Sequence, residues 1–434
     1  MPTFTKRSAF PAPVEELFGW HRRSGALERL TPPWERVDVV ERNGGIENGG
    51  RVRTRVKFGP FRLPWISEHH DYEKNVQFRD TMLVGPFRSF VHSHRFFPGS
   101  ELEDQIDYEL PLGGFIAAGA IARKLQRGFD YRHALTRSDL ARHATFADRP
   151  RLRIAITGAS GLVGRALWAF LTTGGHSVDQ LKRDALTPAA LEGVDVVVNL
   201  AGESIAGKRW DELQKWEIVH SRVNLTQRLV AAMLAMPTPP KLLISASATG
   251  VYGSRGDELL TEASSTGTDF LGDLCNRWEV ATDPAQHRGI RVVNLRLGVV
   301  LTAAGGAMDK LLTPFKLGVG GVLGGGRQYM SWIGLDDLVY AVHHAIFTET
   351  LSGPVLAVSP TAPTNREFTK TLGRVLWRPT IVPMPAFAMR MAFGEVADAA
   401  LLASQRCAPT KLLGSGFQFT HPELEQTVRW TLGR

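Results

Sequence analysis

The chain has 434 residues and a formal net charge of +8, from 51 basic and 43 acidic side chains. Hydrophobic content of 43% and charged content of 22% suit two or three globular domains with ample core. The charge is evenly spread: 23 basic and 19 acidic residues in 1–150 leave +4 there, and no block of five like charges occurs, so nucleic acid is not an expected partner.

From the N-terminus, Phe4 to Phe10 reads as a strand, and Pro13 to Leu30 as one or two short helices with Val14, Leu17, Phe18, Leu27 and Leu30 inward. Thr31-Pro-Pro-Trp34 breaks them. Strand-like segments follow at 37–42, 51–58, 65–72, 75–80, 89–97 and 101–109, separated by turn signals. A long helix, roughly Phe115 to Arg132, closes the unit. One helical pair, about six antiparallel strands and a final helix predict a sheet gripping a helix over a cavity. His69-His70 and His92-x-His94 sit on strands, but no third ligand is evident nearby, so no metal is expected.

Several stretches here resemble the START-like (SRPBCC, polyketide-cyclase-like) helix-grip family: Phe10 to Phe18, Gly25 to Trp34, Phe129 to His133 and Thr136 to His143. The resemblance implies a ligand pocket, leaving room for an apolar ligand, without naming one.

Ala144 to Pro150 is a short polar linker. Beyond it Arg151 to Leu167 reads RLRIAITGASGLVGRAL: an apolar run, then glycines at 158, 161 and 164, then a helix-like stretch. Strand, tight turn and helix in that order form a dinucleotide-binding signature, because the glycines let backbone N–H groups approach a pyrophosphate at a helix N-terminus. Gly158, Ser160, Gly161, Leu162, Val163 and Gly164 are the residues expected there. Further strands read as 152–157, 177–181, 194–200, 241–245 and 291–297, with a very short helix near 188–191 and a long helical stretch from Trp210 to Met236. Strand and helix alternate, which predicts a parallel doubly wound sheet. At the end of the second strand, where an acid would read the ribose of NAD, stand Lys182 and Arg183. Two cations suit a 2′-phosphate, so NADP(H) is preferred, with NAD(H) as the second option.

The words Ile156 to Gly164, Val198 to Glu203, Lys208 to Trp210, Ser221-Arg222, Ile244 to Gly253, Leu297 to Val300, Ser331 to Ile333 and Asp336-Asp337 resemble the short-chain dehydrogenase/reductase superfamily. The match is to its atypical, extended-like branch that bears the epimerase label and a C-terminal extension. By resemblance Leu200, Ala201, Gly202 and Ser245 line the nucleotide, Glu217 and Arg222 lie beneath it, and Val300 is near the nicotinamide end. The architecture expected is an α/β Rossmann-type sheet with a smaller C-terminal substrate lobe, preceded by an α+β helix-grip domain. The boundaries are 1–147 and 151–434, the latter including an extension from about 364.

The superfamily's Ser and Tyr-x-x-x-Lys set is only partly present. Ser247 stands at the serine position, but none of the six tyrosines has lysine four residues on. Leu271 and Cys275 fall where that pair belongs, which makes Tyr252 the better candidate proton donor beside Ser247. Methionine at 330 replaces the arginine that usually holds a sugar diphosphate. Gly318 to Gly326 reads either as a lid or as a plain connection. Three functions remain open: an NADP(H)-dependent reductase of a small, apolar, carbonyl-type substrate; a non-catalytic NADP(H)-binding sensor or scaffold; and a sugar-nucleotide epimerase or dehydratase. Two distant cysteines, no apolar leader and no stretch of about 18 apolar residues predict a cytoplasmic protein without a membrane span.

Overall fold

A computed structural model describes residues 2–58, 61–111 and 118–434. They divide into two compact units. The first takes in the chain up to Pro150 together with Ala169–Gly175 and Gly433; the second comprises Arg151–Trp168, His176–Leu432 and Arg434. No described helix is long and apolar enough to cross a membrane.

The first unit holds strands β1 (Thr3–Ala9), β2 (Val37–Asn43), β3 (Arg51–Phe58), β4 (Phe61–Glu73), β5 (Gln77–Val84), β6 (Ser89–Phe97) and β7 (Glu101–Glu109). They form one antiparallel sheet in the order β1-β7-β6-β5-β4-β3-β2. Alternation does the sorting: in β7, Leu102, Asp104, Ile106 and Tyr108 are buried while their neighbours are half-buried. Helices α1 (Val14–Arg22), α2 (Ala26–Leu30) and α3 (Ala118–Ala144) complete the helix-grip arrangement. Leu17, Phe18 and Trp20 of α1 pack with Phe78, Phe96 and Leu102 of the sheet. The expected start of the last helix, at Phe115, lies outside the described residues. Its end falls well beyond Arg132, because Leu135, Thr136, Asp139, Leu140 and His143 continue the buried stripe at helical spacing.

The second unit begins with β8 (Arg153–Thr157) and the part of α4 (Leu162–Thr173) up to Trp168, followed by β9 (Ser177–Leu181), β10 (Val196–Asn199) and β11 (Leu242–Ala248). It continues with β12 (Leu259–Leu260), β13 (Arg291–Leu297), β14 (Val299–Leu301), β15 (Trp332–Gly334), β16 (Gly353–Ala357) and β17 (Arg406–Cys407). The main sheet is parallel throughout, in the order β16-β13-β11-β10-β8-β9. The chain leaves β8 toward β9 on one side and returns to β10 on the other. That reversal opens a crevice at the carboxyl ends of β8 and β10, where doubly wound sheets bind ligands. Strand β16 was not anticipated, being only five residues of mixed composition.

The long helical stretch is divided in the structure into α5 (Glu212–Val219), a π-helical turn (His220–Asn224) and α6 (Leu225–Leu234). Asp211 caps α5 by accepting from Gln214 N at 2.7 Å. Between β9 and β10 there is only a 3-10 turn, Ala189–Leu191.

Candidate functional site

At the reversal of the second unit, β8 ends in buried Thr157 and the chain turns at Gly158 with φ of +69°, a conformation that disfavours a side chain. A Cβ at Gly158 would lie 2.8 Å from the Leu200 carbonyl, and one at Gly164 would lie 2.2 Å from Gly158 O. These two glycines let β8, β10 and α4 close on one another. Gly161 differs: it is exposed, and its Cβ would meet only Gly158 O, at 3.1 Å. Bareness there keeps space open outside the turn, at the N-terminus of α4. Ser160 is exposed beside it, and Leu162 and Val163 are half-buried.

Polar residues missed by the sequence reading brace this turn. Thr157 Oγ1 donates to Asn199 Oδ1 at 2.6 Å, and the Asn199 amide donates to Thr226 Oγ1 and Ser245 Oγ. Ser245 is thus fully buried inside the sheet, with its hydroxyl engaged by Asn199, which removes it from the crevice wall where the resemblance put it. The π turn supplies a second brace. Glu203 N donates to Ser221 Oγ at 2.9 Å, and Arg222 Nη2 donates to Glu203 O at 2.7 Å. Arg222 lies under Gly202, where a Cβ would come within 3.0 Å of its guanidinium carbon. A π bulge shifts helix register by one residue, which is how both side chains reach the Ala201–Glu203 loop. Glu217 is half-buried on α5, and Val300 is half-buried in β14 opposite Ile333. Lys182 and Arg183 are both exposed just past β9, while Asp179 is paired with Arg153 at 2.7 Å.

The residues expected to move protons are buried in a closed network. Ser247 Oγ donates to Glu279 Oε1 at 2.6 Å. Both Glu279 oxygens accept from Arg296, each at 2.9 Å, in a forked pair. Arg296 Nη1 donates to the Tyr252 hydroxyl at 2.8 Å, which donates in turn to Thr261 O at 2.9 Å. Tyr252 is completely buried, and burial pushes its phenol up to about 12 despite the opposing pull of Arg296. That arrangement does not suit a proton donor to an outside substrate, so the structure corrects the expectation for Tyr252. Cys275 is also buried, and burial, with the Glu279 charge second, raises its thiol to about 12. The extension contributes Gln405, which accepts from Thr249 Oγ1 at 2.8 Å and donates to Gly253 O, holding the turn that carries Tyr252. The glycine loop 318–326 is tied to the extension by Gly324 N donating to Met384 O and Met384 N donating to Val322 O, each at 2.9 Å.

In the first unit a cavity of about 480 Å³ is walled by apolar side chains such as Leu63, Trp65, Phe90 and Ile106. His69, Asp80, His92 and His94 also face it. The antiparallel register sets Asp80 of β5 opposite His92, and Asp104 of β7 opposite His94. Spacing along the chain gave no sign of these partners. Burial works against charge here, but Asp104 and Asp80 outweigh it and raise His92 to about 9; the neighbouring imidazoles likewise hold both carboxyls well below their usual range. His21 is buried without a carboxylate in contact, and burial lowers it to about 4.

Comparison with known proteins matches three regions. Residues 154–355 fit the NAD dependent epimerase/dehydratase family, residues 10–130 the polyketide cyclase / dehydrase and lipid transport family, and residues 384–431 a domain of unknown function, DUF1731. An epimerase family protein of Mycobacterium bovis, Mb2239, is 43% identical over 296 residues, which cover 98% of that protein and 65% of this chain. The structure of human epimerase family protein SDR39U1 with NADPH aligns at 33% identity and TM-score 0.61, over 65% of this chain and 99% of that one. A structure of a nucleoside-diphosphate sugar epimerase from Corynebacterium glutamicum aligns at 32% identity and TM-score 0.82, over 100% of this chain and 90% of its own. This chain therefore belongs to the epimerase family, with a polyketide-cyclase-like region ahead of its Rossmann-type sheet and a DUF1731 region behind it.

Proposed function

We propose that the second unit binds NADP(H) in the crevice beyond β8 and β10 and reduces a small, apolar, carbonyl-type substrate. The observation that carries this reading is the bare, exposed Gly161 at the N-terminus of α4, with Lys182 and Arg183 exposed past the neighbouring strand. In this reading backbone N–H groups of residues 158–164 hold the pyrophosphate, and Lys182 with Arg183 holds the 2′-phosphate. Leu200, Ala201 and Gly202 form the wall that Arg222 supports, and Val300 lies toward the nicotinamide. The bound dinucleotide supplies hydride. The Ser247 and Tyr252 hydroxyls are both committed inside the protein, so in this reading they hold the strand end and turn beneath the substrate without touching it, and the proton comes from solvent. The NADPH-bound human relative supports the choice of cofactor.

A second reading, NADP(H) binding without turnover, draws on one observation: the Ser247 and Tyr252 hydroxyls both end in a sealed network around Glu279 and Arg296. Calorimetry with NADPH and NADH, followed by NADPH oxidation across a carbonyl panel, decides between them. Binding with steady oxidation supports the reductase, and binding with none supports the sensor or scaffold. Equal affinities for the two dinucleotides would remove the 2′-phosphate assignment. Conversion of a nucleotide-diphosphate sugar would favour the epimerase reading instead.

A further inference from the structure

The cavity of the first unit carries a group of side chains that the dinucleotide site does not use. Asp80 Oδ2 lies 3.3 Å from His92 Nδ1 and 3.7 Å from His94 Nε2. One ligand atom from each of the three residues lies within 4.8 Å of the other two. The 3.7 Å separation is too long for a hydrogen bond. Two ligand atoms on one tetrahedral zinc stand about 3.4 Å apart, given bonds of about 2.0–2.1 Å, so these spacings need little closure to share an ion.

Behind this trio stands Asp104. Its Oδ1 is 3.0 Å from His92 Nε2 and 2.6 Å from His94 Nδ1, and its Oδ2 is 2.6 Å from His133 Nε2. Each imidazole of the trio therefore has one nitrogen toward Asp80 and the other toward a buried carboxylate. Carboxylates placed so behind metal-binding imidazoles fix ring orientation and raise ligand basicity. Side-chain exposures are 7% for His92, 10% for His94, 5% for Asp104 and 17% for Asp80, so the cluster is not a solvated acidic patch.

We propose that Asp80, His92 and His94 form a binding site for one divalent transition-metal ion on the wall of the front cavity. Two imidazoles are borderline donors beside one hard carboxylate, and the nitrogen pair makes the set suit zinc, cobalt or ferrous iron over calcium or magnesium. Three protein ligands leave positions open, and the trio borders the cavity, so those positions face the ligand space. The cavity ligand is then an amphipathic small molecule with an apolar body against Trp65 and Phe90 and one oxygen donor on the ion.

The test uses the full-length protein, stripped with a chelator and titrated with Co2+. About one ion per chain is expected, with ligand-field bands, no thiolate charge-transfer band, and an X-ray absorption shell containing two imidazoles. Decanoate, as a chain bearing one carboxylate, is expected to shift those bands. Asp80→Asn and His94→Gln should each weaken Co2+ at least tenfold, while His287→Gln, on an exposed residue of the second unit, should not. Wild-type protein that binds less than about a tenth of an equivalent overturns the site, as does binding that survives in folded Asp80→Asn and His94→Gln. Where a variant fails to fold, the wild-type absorption shell decides: fewer than two imidazoles overturns the assignment. Bands indifferent to decanoate overturn the open positions.

Discussion

Two clusters of buried charge, one in each unit, differ in what surrounds them. In the second, Glu279 and Arg296 meet in a forked pair, and their remaining groups are taken up by Ser247, Tyr252 and the Glu262 carbonyl. Charge enclosed on all sides by fitted partners holds turns in place and is closed to a ligand. In the first unit, two carboxylates and three imidazoles stand together at a cavity wall, and two of the imidazoles face that cavity. Charge left at the edge of an open space is available to whatever enters. The contrast separates a structural network from a candidate site more sharply than residue type does, since serine and tyrosine looked catalytic and strand histidines looked ordinary.

The largest effect should come from breaking the enclosed pair. Glu279→Ala leaves the Arg296 guanidinium buried and unpaired, which costs about 3–5 kcal/mol. Urea unfolding should show that loss in the second unit, and a change below about 1 kcal/mol would mean that water already screens the pair. Gly161→Val comes next. Its Cβ has one close neighbour, Gly158 O at 3.1 Å, which a shift of a few tenths of an ångström relieves, so the variant should fold yet lose NADPH affinity at least about 100-fold, or about 2.7 kcal/mol. Unchanged affinity in calorimetry would move the phosphate site elsewhere.

A smaller change is expected from Lys182→Ala combined with Arg183→Ala. The preference for NADPH over NADH should fall about tenfold, or about 1.4 kcal/mol, with NADH affinity held. Parallel loss of both dinucleotides would assign these cations to general attraction. Tyr252→Phe tests the contrast between network and site directly. Losing one buried hydroxyl that links Arg296 to Thr261 should cost about 1 kcal/mol of stability and leave NADPH binding alone. A tenfold drop in turnover at unchanged stability would restore the phenol as proton donor. The smallest effect concerns the thiols. Burial raises Cys275 to about 12 and Cys407 to about 11, so at pH 8 both should resist iodoacetamide until the protein unfolds. Because the folded values are the raised ones, the stability they contribute is present below the ordinary thiol range and lost as pH climbs from there through about 11 and 12. Rapid alkylation of folded protein would place a thiol at an accessible surface.

Much of the second unit is legible in the sequence. Local rules act within a few residues there: a glycine turn between a strand and a helix has few other uses, and strands 177–181 and 291–297 match the structure residue for residue. The same holds for 51–58, 89–97 and 101–109 in the first unit, where period-two patterning is clean. The helix end near 144 was less legible, because its buried stripe includes Thr136, Asp139 and His143, polar types that a hydrophobic pattern passes over.

By itself the sequence determined the order of the main strands up to residue 297, the glycine turn, the cations beyond the second strand and the absence of a tyrosine–lysine pair. These are properties of neighbours along the chain. Only the tertiary structure decided which side chains meet across it. Antiparallel register joins Asp80 to His92 and Asp104 to His94, and a π turn swings Ser221 and Arg222 under the loop after β10. Burial commits the Tyr252 hydroxyl to Arg296 and Thr261. Each of these depends on long-range pairing, and a shift of one residue in register would have turned every one of those strand side chains to the opposite face of the sheet.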